Sequence, residues 1–412
     1  MAEPDIAPRI ADGLDLTDPD VLVHRVPHEE FAELRRTAPV WWSEQRHGSA
    51  GFDDHGYWAV TRHADVMAVS RDAETFSTWQ NTAIVRFQEG TPRENIDMQR
   101  YVMLNIDPPQ HTKVRAIVSR GFTPRAINAL RNALSSRAEK IAREALEKGT
   151  GDFVTDVACE LPLQAIAELL GVPQEDRLRI FEWSNQMIGY DDPEYEADPL
   201  MAAYELLAYA MQMADERQKA PQDDIVTKLV NAQIDGGHLT TDEFGFFVLL
   251  LAVAGNETTR NAISHGMLAF LQHPEQWELF KAERPKSAVE EIIRWATPVN
   301  VFQRTAMKAV VLAGQEIKKG QRVAIFYGSA NYDEEVFDTP HQFDIMRTPN
   351  PHLGFGGSGA HFCLGANLAR LEIELIFNAL ADHTPNIRQA GEAQRLRSGW
   401  INGIKTLDVH YR

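Results

Sequence analysis

One helical pattern constrains this chain more than any other feature: from about Thr240 to Leu271, apolar residues recur at helical spacing without a break. It opens with Thr240-Thr-Asp-Glu243, the residues of a capping box, in which hydroxyl and carboxylate satisfy N–H groups that a helix start leaves free. The pattern predicts a helix of about 30 residues, about 45 Å long, enough to cross a whole domain. Its uninterrupted apolar stretch, Phe244 to Gly255, is far shorter than the roughly 20 residues a membrane helix needs. The helix is therefore expected to be the central strut of a protein interior, with the other elements arranged around it.

Those elements are mostly helical. From residue 125 to about 290 the chain reads as successive helices, with breaks at Gly149-Thr-Gly151, Gly171-Val-Pro173, Asp191-Asp-Pro193 and Asp235-Gly-Gly237. Strand patterns lie elsewhere. Tyr57–Thr61 is one; Ala309–Leu312 and Arg322–Tyr327, separated by turns at Ala313-Gly314 and Lys319-Gly320, read as parts of one small sheet, and Ser398–Arg412 as a hairpin around Asn402-Gly403. Helices and strands do not alternate, no repeat is visible, and no Pro/Gly/Ser linker divides the chain. The expectation is a mainly α protein with small segregated β-sheets, one domain over residues 1–412 with about 1–20 extended.

At 412 residues and 44% hydrophobic content the chain has ample material for a large core. Acidic residues outnumber basic ones by 59 to 41, a net charge of −18, which argues against an electrostatic hold on nucleic acid or on an anionic membrane. The opening residues, Met1 to Leu16, have neither a charged start followed by an apolar run nor a membrane-length span, so a cytoplasmic protein without a membrane span is expected.

Two cysteines, Cys159 and Cys363, are too few for a disulfide framework, a Cys-x-x-Cys pair or a four-cysteine zinc site. Cys159, between Val157 and Leu161 on an apolar helical face, reads as core. Cys363 ends an irregular glycine-rich loop, Pro351 to Phe362, that runs into a predicted helix from Leu364 to about Ala381. A helix start favours a thiolate by about 0.3–2 kcal/mol, lowering a cysteine pKa by about one or two units, short of full ionisation. Three readings fit Cys363: a small apolar side chain in a packed loop, a nucleophile with His361 as base but no supporting Asn or Asp, or a metal ligand. Gly356, Gly357, Gly359 and Gly365 leave room near the sulfur for something flat and bulky. With a single thiolate, haem iron suits better than an iron–sulfur cluster, which takes four.

On these residues the sequence resembles the cytochrome P-450 superfamily of haem-thiolate monooxygenases. The family's Gly-x-Gly-x-His-x-Cys-x-Gly signature falls on Gly357, Gly359, His361, Cys363 and Gly365. The family's aromatic residue lies seven before the cysteine, whereas Phe355 lies eight before Cys363 with Gly356 in the usual place, a one-residue insertion. The resemblance covers about residue 20 to the end. It implies the single-domain cytochrome P-450 fold, the long helix passing over haem b (iron protoporphyrin IX), and Cys363 as the axial ligand of the iron.

Inside the long helix stands Ala254-Gly255-Asn256-Glu257-Thr258-Thr259. A glycine, a carboxylate and two hydroxyls lower helix propensity and are costly to bury unpaired, so they face solvent or serve chemistry. The stretch resembles the family's oxygen-activation site, which implies Glu257 and Thr258 as an acid–alcohol pair, the threonine holding dioxygen and the glutamate relaying protons through water. Glu290-Glu291-Ile-Ile-Arg294 contains Glu-x-x-Arg, by itself a common surface pair. The resemblance implies that Glu291, Arg294 and Arg347 are buried together and structural. Haem carries two propionates, for which arginine and histidine are natural donors. By position in the family, His111 and Arg115 at i and i+4, Arg304 and His361 are the implied donors, although each alone reads as a surface charge.

Met187, Met201, Met211 and Met213, among Tyr, Leu and Ala, fit a pliable lid over an apolar ligand or an ordinary amphipathic helix pair. The inserted residue in Phe355–His361, the Ala254–Thr259 centre and Arg397–Lys405 resemble the actinobacterial steroid C-26/C-27 side-chain subfamily, whose members oxidise the terminal methyl of cholesterol and cholest-4-en-3-one. That resemblance implies an apolar, sterol-class substrate, and electrons from a ferredoxin and its NAD(P)H-dependent reductase docking on the cysteine side. Branched fatty acids or terpenoids are the alternative substrates. A haem-binding sensor or a peroxide-using enzyme is the alternative class, and neither needs Glu257 and Thr258.

Overall fold

The computed structural model describes residues 10, 13–195, 198–222, 225–231 and 239–412. The central helix spans Thr241–Gln272. Its capping box forms: the Thr240 N–H donates to Glu243 Oε2 at 2.9 Å, and the Glu243 N–H donates to Thr240 Oγ1 at 3.1 Å. Helices Glu160–Leu170, Arg177–Ile188, Pro199–Lys219, Ser287–Ala296 and Ala366–His383 pack around it. Their apolar faces meet in one cluster that includes Ile166, Leu206, Phe247, Ile263, Phe270 and Phe377. Each such side chain contributes about 1.5–3 kcal/mol when fully buried. Where the central helix crosses Glu160–Leu170 the packing is close: a Cβ on Gly255 would stand 2.4 Å from Ile166 Cδ1 and would force that side chain to move.

Helix Arg131–Lys148 stops before Gly149, and Glu160–Leu170 stops before Gly171. The turn Gly189–Asp191 closes the next break, while Asp235-Gly-Gly237 lies outside the described residues. Residues 1–9, 11 and 12 of the expected extended start also lie outside them. The described remainder of that start is packed, because Leu16 and Thr17 are fully buried and Asp18 caps a short helix, Pro19–Leu22.

The strands are few and segregated. The largest sheet has the order Val40–Glu44, Gly56–Val60, Arg322–Phe326, Val301–Ala306, Phe76–Ser77, with only the second and third strands parallel. Two expectations change here. Val310–Leu312 and Arg322–Phe326 do not share a sheet: the first pairs with Gln315–Ile317 across Ala313-Gly314 as a separate hairpin. Arg322–Phe326 is buried at every position, and a strand buried on both faces belongs in the middle of a covered sheet. The tail does not turn tightly at Asn402-Gly403 either. Ile404–Thr406 pairs with Gln394–Arg395, and Asp408–His410 with Thr150–Asp152 and Arg388–Gln389. The loop between is drawn inward because Trp400 and Ile401 join a buried cluster with Phe326 and Val301.

Glu291, Arg294 and Arg347 come together. Arg294 donates from Nε and Nη2 to the two Glu291 oxygens, each at 2.8 Å, with both side chains fully buried. Arg347 Nε donates to Glu291 Oε2 at 3.1 Å. Arg294 Nη1 also donates to the carbonyl oxygens of Asn331 and Pro340 at 2.9 Å. The network ties Ser287–Ala296 to the irregular chain leading to the cysteine loop. Among the described residues no helix is long and apolar enough to cross a membrane.

Candidate active site

The helix after Cys363 begins at Ala366, two residues later than its apolar pattern suggested, with Gly365 at its N-cap. Cys363 therefore sits just outside the helix start, where the N–H groups of Gly365 and Ala366 bond toward its sulfur. The Cys363 N–H donates to the Phe355 carbonyl oxygen at 2.9 Å, closing the loop on itself. Gly359 lies so near the helix His63–Arg71 that a Cβ there would stand 1.8 Å from the Ser70 carbonyl oxygen. Burial pushes the Cys363 thiol up, although the Gly365 and Ala366 N–H groups and the charges of Arg115 and Arg370 pull it down. This corrects the lowering expected from the helix start alone: desolvation in the folded protein outweighs it.

Cys363 lines a cavity of about 760 Å³, and Ala254, Gly255, Glu257, Thr258 and Thr259 of the central helix line the same space. Thr258 Oγ1 donates to the Ala254 carbonyl oxygen at 2.6 Å. Glu257 is ion-paired with Arg260, and burial pushes its carboxyl above the ordinary carboxylate range against that pairing. Of the four methionines, Met187 lines the cavity, Met213 is core, Met211 is half-buried off the cavity and Met201 is exposed; Leu200, Ala203, Tyr204 and Leu207 of the helix Pro199–Lys219 line the cavity instead.

His111, Arg115, Arg304 and His361 line this cavity too, brought there from the helix Gln110–Val118, the strand Val301–Ala306 and the cysteine loop. The His111 and His361 rings are 4.3 Å apart. Arg115 Nη2 donates to the Phe362 carbonyl oxygen at 2.6 Å and Arg304 Nη1 to the Gln303 carbonyl oxygen at 2.7 Å. Burial lowers all four pKa values, to about 4 for His111 and about 2 for His361, and neighbouring arginines add to the effect on the two histidines. Among the described residues no carboxylate pairs with Arg115 or Arg304, and no three His, Cys, Asp or Glu side chains stand close enough to hold a metal ion. Of these four, Arg304 is a buried cation and Arg115 a half-buried one, and cations drawn out of water without a counter-charge call for an anion. Haem fits this lining: Arg115 and Arg304 would hold its two propionates, and Cys363 would supply a thiolate to its iron.

Two residues of the site belong to none of the motifs above. Arg260 had a visible signal, since Glu257-Thr-Thr-Arg260 repeats the Glu-x-x-Arg spacing of Glu291 and Arg294. Glu372, buried and lining the cavity, falls four residues after Leu368 on the apolar stripe of its helix, where a carboxylate is out of place.

The chain is similar to known proteins over most of its length. Residues 286–382 match the Cytochrome P450 family. The chain is 66% identical to the steroid C26-monooxygenase of Rhodococcus jostii over 98% of its own length and 86% of the relative's. It is 41% identical to the methyl-branched lipid omega-hydroxylase of Mycobacterium bovis, over 92% of this chain and 90% of that one. A solved Mycobacterium marinum cytochrome P450 in complex with pseudoionone superimposes with a TM-score of 0.89 at 37% identity, covering 97% of this chain and 99% of the other. The chain belongs to the cytochrome P450 family, and its cofactor is haem iron.

Proposed function

We propose that this protein is a steroid C26-monooxygenase that hydroxylates the terminal side-chain methyl of cholesterol or cholest-4-en-3-one. The observation that carries the substrate class is the likeness, over nearly the whole chain, to the Rhodococcus jostii enzyme. The cavity supports it: its walls include Leu207, Phe246, Leu250, Val253, Ile401 and Phe302, which suit an apolar molecule. The whole chain serves as one domain in this reading, since residues from Ile84 to Ile401 line a single space.

Haem b bound here would supply dioxygen activation, one oxygen atom entering a C–H bond as hydroxyl and the other leaving as water with two electrons and two protons. Cys363 would give its thiolate to the iron, the Arg115 and Arg304 guanidinium groups would neutralise the propionates, and the neutral His111 and His361 rings would donate hydrogen bonds to them. Thr258 presents its hydroxyl to the cavity, and Glu257 passes protons toward it from the Arg260 side. The apolar walls exclude water and hold the sterol chain end-on. A primary C–H bond is stronger than its tertiary neighbour, so selectivity for the terminal methyl comes from positioning. Electrons arrive from a ferredoxin and its NAD(P)H-dependent reductase in the cytoplasm, docking where Phe362 is exposed beside Arg115.

Optical titration of the haem-loaded protein tests the substrate. Cholest-4-en-3-one is expected to shift the iron toward high spin at low micromolar concentration, about −8 kcal/mol, and to yield a terminal hydroxyl with reconstituted electron donors. A shift with methyl-branched fatty acids and none with either sterol overturns the steroid reading in favour of a branched lipid.

A further inference from the structure

We infer that Arg370 is a positioning residue of the cysteine site and sets the reduction potential of the iron bound there. The inference rests on the reading of Cys363 as the iron ligand. Arg370, on the helix that follows the cysteine, donates to Glu290 through Nε at 2.6 Å and Nη2 at 3.0 Å. His352 bonds the same carboxylate through Nε2 at 2.9 Å. Its Nδ1 accepts the Gly354 N–H at 3.1 Å, a pattern that assigns the ring proton to Nε2. Burial by itself would raise the Glu290 carboxyl, but the His352 and Arg370 hydrogen bonds and the Arg370 charge hold it down to about 2. The anion therefore persists and clamps the guanidinium from one side.

On the other side, the guanidinium carbon stands 4.5 Å from the centre of the Phe355 ring, a cation–π contact. Phe355 is the residue whose carbonyl accepts the Cys363 N–H at 2.9 Å, and it lines the cavity. A positive charge is thus fixed at one aromatic ring's remove from the cysteine loop, and Arg370 is among the charges acting on the Cys363 sulfur. Reduction adds one negative charge to a thiolate-ligated iron. A fixed cation nearby stabilises the reduced form and raises the potential, as outer groups around a metal commonly do.

Redox titration of the haem-loaded protein, followed by absorbance, tests this. Arg370→Gln is expected to lower the midpoint, so that at the wild-type midpoint the ferric-to-ferrous ratio rises about three- to tenfold, tenfold being about 59 mV for a one-electron couple. Glu290→Gln removes the counter-charge and keeps the cation, so its shift is expected to be opposite in sign. Arg370→Lys keeps the charge and is expected to restore most of the potential. Shifts of the same sign in Arg370→Gln and Glu290→Gln would mean a displaced loop, and, like an unmoved potential in Arg370→Gln, would overturn the inference. If Arg370→Gln does not hold haem, a Glu290→Gln shift upward with a restored Arg370→Lys supports the inference, and any other pattern overturns it. The reduced carbon monoxide spectrum separates the two readings: wild-type protein without a thiolate band removes the cysteine assignment itself, whereas an intact band with an unmoved potential removes only the role of Arg370.

Discussion

Glu257 and Arg260 face each other across one turn of the central helix as an ion pair with both side chains buried. Arg260 also donates to Asn185 Oδ1 at 3.0 Å on the neighbouring helix, so the pair is anchored away from the cysteine loop. A carboxyl raised by burial exchanges its proton closer to neutral pH, which suits a relay. Glu257→Gln is expected to slow turnover about a hundredfold while leaving sterol affinity nearly unchanged. Turnover measured beside a spectral binding titration checks this; full-speed oxidation in the variant would place the relay elsewhere.

Among the described residues Thr258 Oγ1 bonds only the backbone of its own helix, at Ala254, an arrangement worth little to stability. Thr258→Ala is therefore expected to melt within about 0.5 kcal/mol of wild type. Its coupling should suffer instead, with less NADH ending in product and more in hydrogen peroxide. Thr258→Ser, which keeps the hydroxyl, should retain most of the coupling. Equal product per NADH in wild type and Thr258→Ala would remove the assigned role.

Removing one member of a buried ion pair leaves an uncompensated charge. Arg294→Met is expected to lose about 3–5 kcal/mol in urea melts. Arg347→Met should lose clearly less, because Arg347 retains some exposure and makes one of the bonds to Glu291, which keeps both from Arg294. Equal losses would show that the triad does not act through Glu291.

Glu372 is 1% exposed, and its Oε2 has no hydrogen-bond partner among the described residues. Burial pushes its pKa well above the ordinary 4.5. An acid with a raised folded pKa holds more protons folded than unfolded, so its contribution is fully present below pH 4.5 and is lost as pH rises toward the folded value. Glu372→Gln should match wild type at about pH 4 and become progressively more stable than wild type toward about pH 7. Thermal melts across that range check the sign, and a constant difference would contradict it.

The two cysteines should separate cleanly. Cys159 is core, its Sγ donating to the Thr155 carbonyl oxygen at 3.1 Å and its thiol pushed up to about 12 by burial. Cys363→Ala is expected to abolish the red-shifted Soret band of the reduced carbon monoxide complex, and Cys159→Ala to leave it intact.

The features legible in the chain itself are local ones. The capping box at Thr240 and Glu243 needs only residues three apart, and the central helix began and ended within one residue of its pattern. The glycines before Cys363 mark a loop whose backbone must touch Ser70, and their absence of side chains is visible in any listing of the residues. The spacing of Glu291 and Arg294 allows an ion pair, and the same spacing of Glu257 and Arg260 allows the second, but neither spacing says that the pair is buried.

By itself, then, the sequence determined the long helix, the irregular cysteine loop and the helical class, because each depends on hydrogen bonds and apolar periodicity between near neighbours. Tertiary structure alone decided the electrostatics. The direction of the Cys363 pKa depends on burial by the whole fold, and Arg115 reaches the Phe362 carbonyl across 247 positions of chain. The placement of Arg322–Phe326 in the middle of the large sheet likewise depends on partners from both ends of the sequence, Gly56–Val60 and Val301–Ala306. Desolvation and long-range pairing arise only when segments far apart in sequence pack together, so no local spacing records them.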